Sequence, residues 1–194
     1  MKLKMWKPFV CLMVIALVGV TEVSTADARK KADNPVGEEY YTAANIRYEH
    51  PDTILSTNFH KGAMIPVGTK VIIDYCRGIK IKFSETETGA SYTYIHAKKH
   101  SRIKLKQLFA RYFTKENPKG PGGAFSQFTA EEKENIEDGT IDLGMSKNAT
   151  LMAYGYPPTH KTASTANDIW TYWRARAGRI LVIFRDGKIS DIQG

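Results

Sequence analysis

The stretch that most narrows the fold is Arg179-Ile-Leu-Val-Ile-Phe184, which is followed by Arg-Asp-Gly-Lys and then Ile189. As a strand it sends Ile180, Val182 and Phe184 to one face and Leu181 and Ile183 to the other. Both faces are then apolar, and burying each such side chain is worth roughly 1.5–3 kcal/mol. Asp186-Gly187 suits the two-residue turn in which both central residues take positive φ. That turn predicts an antiparallel return over Lys188–Ile192. Trp170–Arg174 reads as a further strand, joined to Arg179–Phe184 by Ala177-Gly178, so the end of the chain is expected to be a three-stranded meander. One face of it can be covered by helices. The other needs the rest of the chain, a second copy or a partner.

Two helices stand ready for the first task. Thr129-Ala-Glu-Glu132 has the hydroxyl and carboxylate spacing of a capping box and predicts a short helix to about Glu137, whose acidic ends read as solvated. Ser146 can cap a second helix over Lys147–Tyr154, stopped by Gly155 and by Pro157-Pro158 behind it. Its Ala149, Leu151, Met152 and Tyr154 supply an apolar face.

Upstream the period changes. Lys70–Tyr75, Ile79–Phe83 and Ser91–Ile95 read as short strands separated by turn residues, and Ile79, Ile81 and Phe83 alternate with Lys80 and Lys82. Arg102 to Thr114 has helical spacing, with Ile103, Leu105, Leu108, Phe109, Tyr112 and Phe113 set against Lys104, Lys106, Gln107 and Arg111. Asn117-Pro-Lys-Gly-Pro-Gly-Gly123 interrupts any regular element. These features predict an α+β chain with a β-rich module and basic amphipathic helix at 40–116, a linker at 117–128 and a helix-helix-meander domain at 129–194.

The beginning of the chain reads as an export signal. Lys2, Lys4 and Lys7 precede an apolar run of about 12 residues, Phe9 to Val20, and small residues end in Ala26-Asp27-Ala28. That run falls short of the roughly 20 residues a membrane-spanning helix needs. Residues 1–28 are therefore expected to be a cleaved signal peptide, with 29–39 a disordered polar leader and the rest in the periplasm or on the periplasmic face of an outer membrane. Cleavage near Ala28 removes three Lys and two acids, so the formal net charge falls from +8 to +7. Such a charge favours anionic surfaces, phospholipid or peptidoglycan, while export sets nucleic acid aside. Cys11 leaves with the signal and Cys76 is left without a partner for an intrachain disulfide. Cys76, between Tyr75 and Arg77 in a strand-like run, reads as a packing residue.

The segment from Ile141 to Ile192 resembles the BamE/SmpA family of small outer-membrane assembly proteins. The matching pieces are Leu143-Gly144-Met145-Ser146 opening a short helix, Tyr154-Gly155-Tyr156-Pro157 ending it, the aromatic strand Trp170-Thr-Tyr-Trp173, and Val182-Ile-Phe-Arg-Asp-Gly-Lys-Ile189. The resemblance implies a helix pair on a three-stranded antiparallel sheet, acting as a non-catalytic scaffold in an envelope complex. Two departures limit it: no lipidated cysteine stands at the signal boundary, and residues 40–123 have no counterpart in the short members of the family.

Catalytic and metal chemistry find little footing. The five histidines, His50, His60, His96, His100 and His160, show no metal-ligand spacing, and Lys98-Lys99 would set two cations beside a His96–His100 pair. No cofactor motif is present. A thiol enzyme using Cys76 and a histidine lacks any flanking signature. The leading reading is an exported binding module whose partner surface lies around Tyr156, Trp170 and Tyr172. The alternative is contact with anionic lipid or peptidoglycan through Lys98, Lys99, Arg102, Lys104, Lys106 and Arg111.

Overall fold

The structure, a computed structural model, describes residues 34–57, 60–101, 103–174 and 178–194. The proposed signal segment, residues 29–33 of the leader, and Arg102 lie outside the described residues. Among the described residues the chain is mixed α+β, with three α-helices and three sheets. The folded unit runs from Pro35 to Gly194.

Eight strands form its first part: β1 (Glu39–Thr42), β2 (Ile46–Tyr48), β3 (Ile54–Leu55), β4 (Ala63–Ile65), β5 (Lys70–Arg77), β6 (Lys80–Glu85), β7 (Ser91–Ile95) and β8 (Phe113–Thr114). Six of them make one sheet in the order β3-β7-β6-β5-β1-β8, while β2 and β4 pair separately. The alternation expected of the central strands appears as burial for Val71, Ile73, Ile81, Phe83, Tyr92 and Tyr94, with Lys80 and Lys82 in water; Ile79, expected to face inward with Ile81 and Phe83, lies before β6 in the turn and is 38 % exposed. A bulge between Ile73 and Tyr75 changes the phase of β5. Tyr75 is thereby turned outward opposite Lys82, and Cys76, opposite Ile81, packs half-buried against the core.

The basic helix, α1 (Leu105–Tyr112), lays Leu108 and Tyr112 onto this sheet. It is shorter than its periodicity predicted. Phe113 leaves the helix in extended conformation, enters the core and pairs with Thr42, because β1 offers an open edge there. The sheet also begins earlier than expected. Gly37 N–H donates to the Ile73 carbonyl at 2.8 Å, and Glu39 lies opposite Ile72, so the last residues of 29–39 belong to the sheet. Main-chain pairing outweighs their composition.

The second part contains α2 (Ala130–Asp138), α3 (Lys147–Tyr154), β9 (Ile169–Trp173), β10 (Arg179–Arg185) and β11 (Lys188–Gln193). The strands form an antiparallel sheet in the order β11-β10-β9. Asp186 and Gly187 both take positive φ, 53° and 76°, as the tight turn requires. Thr129 and Ser146 cap their helices through side-chain oxygens. Ile136, Ala149, Met152 and Ala153 then cover the inner face of the sheet. Phe125 and Phe128, from the Pro- and Gly-rich stretch before α2, pack against the same core.

The two cores share polar joints. Asn45, 2 % exposed, donates from Nδ2 to the carbonyls of Ile136 (2.6 Å) and Ala153 (3.0 Å) and accepts Val67 N–H at 2.7 Å through Oδ1. Arg47 of β2 donates to the Gly139 carbonyl at the end of α2 (2.9 Å). Tyr156 N–H donates to the Tyr112 hydroxyl (3.1 Å).

Candidate docking surface

The register of the C-terminal sheet settles which side chains are reachable. Trp170 lies opposite Val182 and Tyr172 opposite Ile180, on the face covered by α2 and α3. Both aromatics are 0 % exposed. The expectation that they form a partner surface is therefore corrected: their rings fill the core, the Trp170 indole N–H donates to the Asn167 carbonyl (2.9 Å) and the Tyr172 hydroxyl to that of Gly155 (3.0 Å). Tyr156 stands apart from them. It is half-buried at the joint beside Tyr112, with the Arg111 guanidinium 4.6 Å from its ring centroid.

The opposite face of the sheet carries the alternate residues. Ile169 is paired with Ile183, Thr171 with Leu181 and Trp173 with Arg179. Ile169 is 56 % exposed, and Leu181, Ile183 and Trp173 are half-buried. An apolar stripe thus runs across β9 and β10, with exposed Arg179 and Arg185 at the two ends of β10. Asp191 stands opposite Ile183 on β11, so one carboxylate lies beside the stripe. At the Trp173 end, His160 stacks on the indole (centroids 6.2 Å, planes 19° apart) and Lys161 Nζ lies 5.6 Å from it. The free edge of β9 is covered, since Thr171 N–H donates to Thr162 Oγ1 at 2.9 Å. A covered edge disfavours strand addition.

The six predicted basic residues divide differently. Lys98 and Lys99 are exposed on a short 3-10 turn, Lys98–His100. Lys104 starts α1, and Gln107 Oε1 accepts its N–H (2.8 Å). The apolar stripe of α1 is spent on the sheet core, so Lys104, Lys106 and Arg111 sit on a helix that has no apolar face left to insert into a membrane. Their contact with an anionic surface would be electrostatic alone.

A cleft of about 580 Å³ opens where α2 and α3 begin, lined among others by Phe128, Glu131, Asp142, Leu143, Asn148 and Lys188. The carboxylate at its base corrects the picture of solvated helix ends. Glu132 is 9 % exposed; Oε1 accepts Ser146 N–H (2.7 Å) and Oε2 accepts Thr129 N–H (3.1 Å), so one side chain serves the first turns of two helices. Burial opposes its charge, but these hydrogen bonds and the Lys188 ammonium together hold its pKa below the usual glutamate range. A carboxylate held low supports the fold at pH values above its unfolded pKa, near 4.3, and that support is lost as pH falls below it. Glu132→Gln is expected to cost about 2 kcal/mol at neutral pH, because its amide turns a donor toward a backbone N–H. It should also flatten the stability profile between pH 5 and 3, as checked by urea titrations at each pH.

The cysteine and the histidines lie in separate surroundings. Burial raises the Cys76 thiol pKa, the reverse of an activated thiolate. Among the described residues no three His, Cys, Asp or Glu side chains are grouped to hold a metal ion. His100 and His160 meet at the surface, their rings 5.0 Å apart, and His160 Nδ1 lies 3.0 Å from the His100 carbonyl. His60 and His96 are different, because all four of their ring nitrogens are out of solvent and without hydrogen-bond partners. The sequence names His60 only as one of five histidines without metal-ligand spacing, and nothing in its neighbours marks it out.

No family model, no curated protein and no solved structure matches this chain.

Proposed function

We propose that this chain is an exported, non-catalytic docking module of a bacterial cell envelope, and that the outer face of its C-terminal sheet is where a partner protein binds. In particular, we propose kinship with the BamE/SmpA envelope scaffolds for residues 129–194, supported by two short helices packed on one side of a three-stranded antiparallel meander. The observation that carries the docking role is the stripe Ile169, Ile183, Leu181 and Trp173 between Arg179 and Arg185. Its centre matches the apolar middle of a protein interface and its ends the polar rim. The fitting partner presents apolar side chains flanked by carboxylates.

Replacing Ile169 and Ile183 together by Ser tests it. Both side chains point away from the core, so the melting temperature should stay within a few degrees of wild type. Recovery of the partner from a cross-linked envelope extract should fall at least about tenfold, the equivalent of 1.4 kcal/mol. Unchanged recovery by the folded double variant would dismiss this face as the docking site. Electrostatic contact with anionic lipid or peptidoglycan through Lys98, Lys99 and Lys104 is the second reading, favoured by the exposure of these cations; it requires binding that weakens steeply with salt.

A further inference from the structure

His60, shortly before β4, ties its own stretch of main chain to the second core. Its main-chain N–H donates to the Trp173 carbonyl at 3.2 Å. Its ring lies face to face on Tyr154 at the end of α3, with centroids 3.4 Å apart and planes 6° apart, and edge-on to Tyr172 of β9 at 5.2 Å. Tyr154 and Tyr172 also meet each other edge to face at 5.1 Å, so the three rings form one cluster. Neither imidazole nitrogen reaches water or a hydrogen-bond partner. The seat suits a neutral aromatic ring.

It does not suit a cation. The charge that reaches the ring is the Arg47 guanidinium of β2, and the Arg174 guanidinium at the end of β9 acts on the same Tyr154. The faces of two tyrosines offer an imidazolium some attraction, but among the described residues no acceptor replaces the water it would lose. We infer that His60 is a proton-operated fastener of the docking face: when the imidazole is protonated it leaves its seat, the Trp173 carbonyl loses the residue-60 N–H as donor, and the outer face of the sheet loses affinity for its partner. The functional half of this inference rests on the docking role proposed above; the fastening itself does not.

The direction follows from the burial. Loss of hydration, reinforced by Arg47, lowers the His60 pKa to about 3 in the seated state. In the open state it returns to about 6.5. The seated state is therefore fully favoured above pH 6.5 and loses up to tenfold per pH unit below it, until pH approaches 3. Between pH 7 and pH 5 the opening equilibrium should rise about 25-fold.

Hydrogen exchange of the residue-60 amide, expressed as a protection factor so that the intrinsic rate divides out, reads this opening in the free protein. The wild type should lose protection by about that factor from pH 7 to pH 5, whereas His60→Phe, which keeps an aromatic ring in the seat, should hold its protection constant. His60→Leu supplies a second neutral side chain should the Phe variant misfold. Equal loss in wild type and neutral variants, or none in the wild type, overturns the fastener. Partner recovery at the two pH values then tests the coupling. A fall in the wild type but not in His60→Phe supports it, and constant recovery while protection falls overturns the coupling but leaves the docking face standing.

Discussion

Asn45→Ala is expected to cost the fold about 4 kcal/mol, since it strips three buried main-chain groups of their partner and each orphaned group costs roughly 1–3 kcal/mol. The groups are the Ile136 and Ala153 carbonyls and the Val67 N–H, brought together from α2, α3 and the loop after β4. With a urea slope of about 2 kcal/mol/M, the unfolding midpoint should fall by about 2 M. Asn45→Asp is nearly as damaging, because a carboxylate accepts from Val67 but donates to neither carbonyl. A loss below about 1 kcal/mol in both variants would show that water replaces the amide and that the joint between the cores is weaker than its geometry.

Trp170→Ala is the second large effect, again about 4 kcal/mol, as expected for removing a fully buried indole. The side chain has no accessible surface, touches Phe184 at 4.5 Å between centroids and spends its N–H on Asn167. Partner capture would fall with this variant too, but because the domain unfolds. Differential scanning calorimetry separates the causes: Trp170→Ala should lose much of its transition at physiological temperature, whereas Trp173→Ala, half-buried on the outer face, should melt close to wild type and still dock poorly. A Trp170→Ala protein with near-native stability would contradict the burial on which the choice of docking face depends.

Much of the local structure was legible because its causes lie within a few residues. Ser146 and Gly155 bracket α3, Thr129 and Glu132 open α2, and Asp186-Gly187 turns β10 into β11. Each is a local hydrogen bond or a backbone conformation that one residue type favours. The strands β1 to β4 were not legible for the opposite reason. Each is two to four residues long, too short to show a period, and β3 exists only because it pairs in parallel with β7, with Ile54 opposite Tyr94. Likewise Phe113 continued a good helical pattern, yet an empty sheet edge took it.

The sequence by itself determined that Trp170 and Tyr172 share one face of a strand and that Trp173 takes the other, because side chains alternate along any strand. It also determined that β10 is apolar on both sides. Only the tertiary structure decided which side the helices occupy, and with it which aromatics are core and which are surface, because two apolar faces are equivalent until a neighbour covers one. The same holds for Glu132 and His60. A carboxylate serving two helices, and an imidazole seated on a tyrosine from α3, arise where segments distant in the chain pack together, and residue type alone says nothing of that meeting.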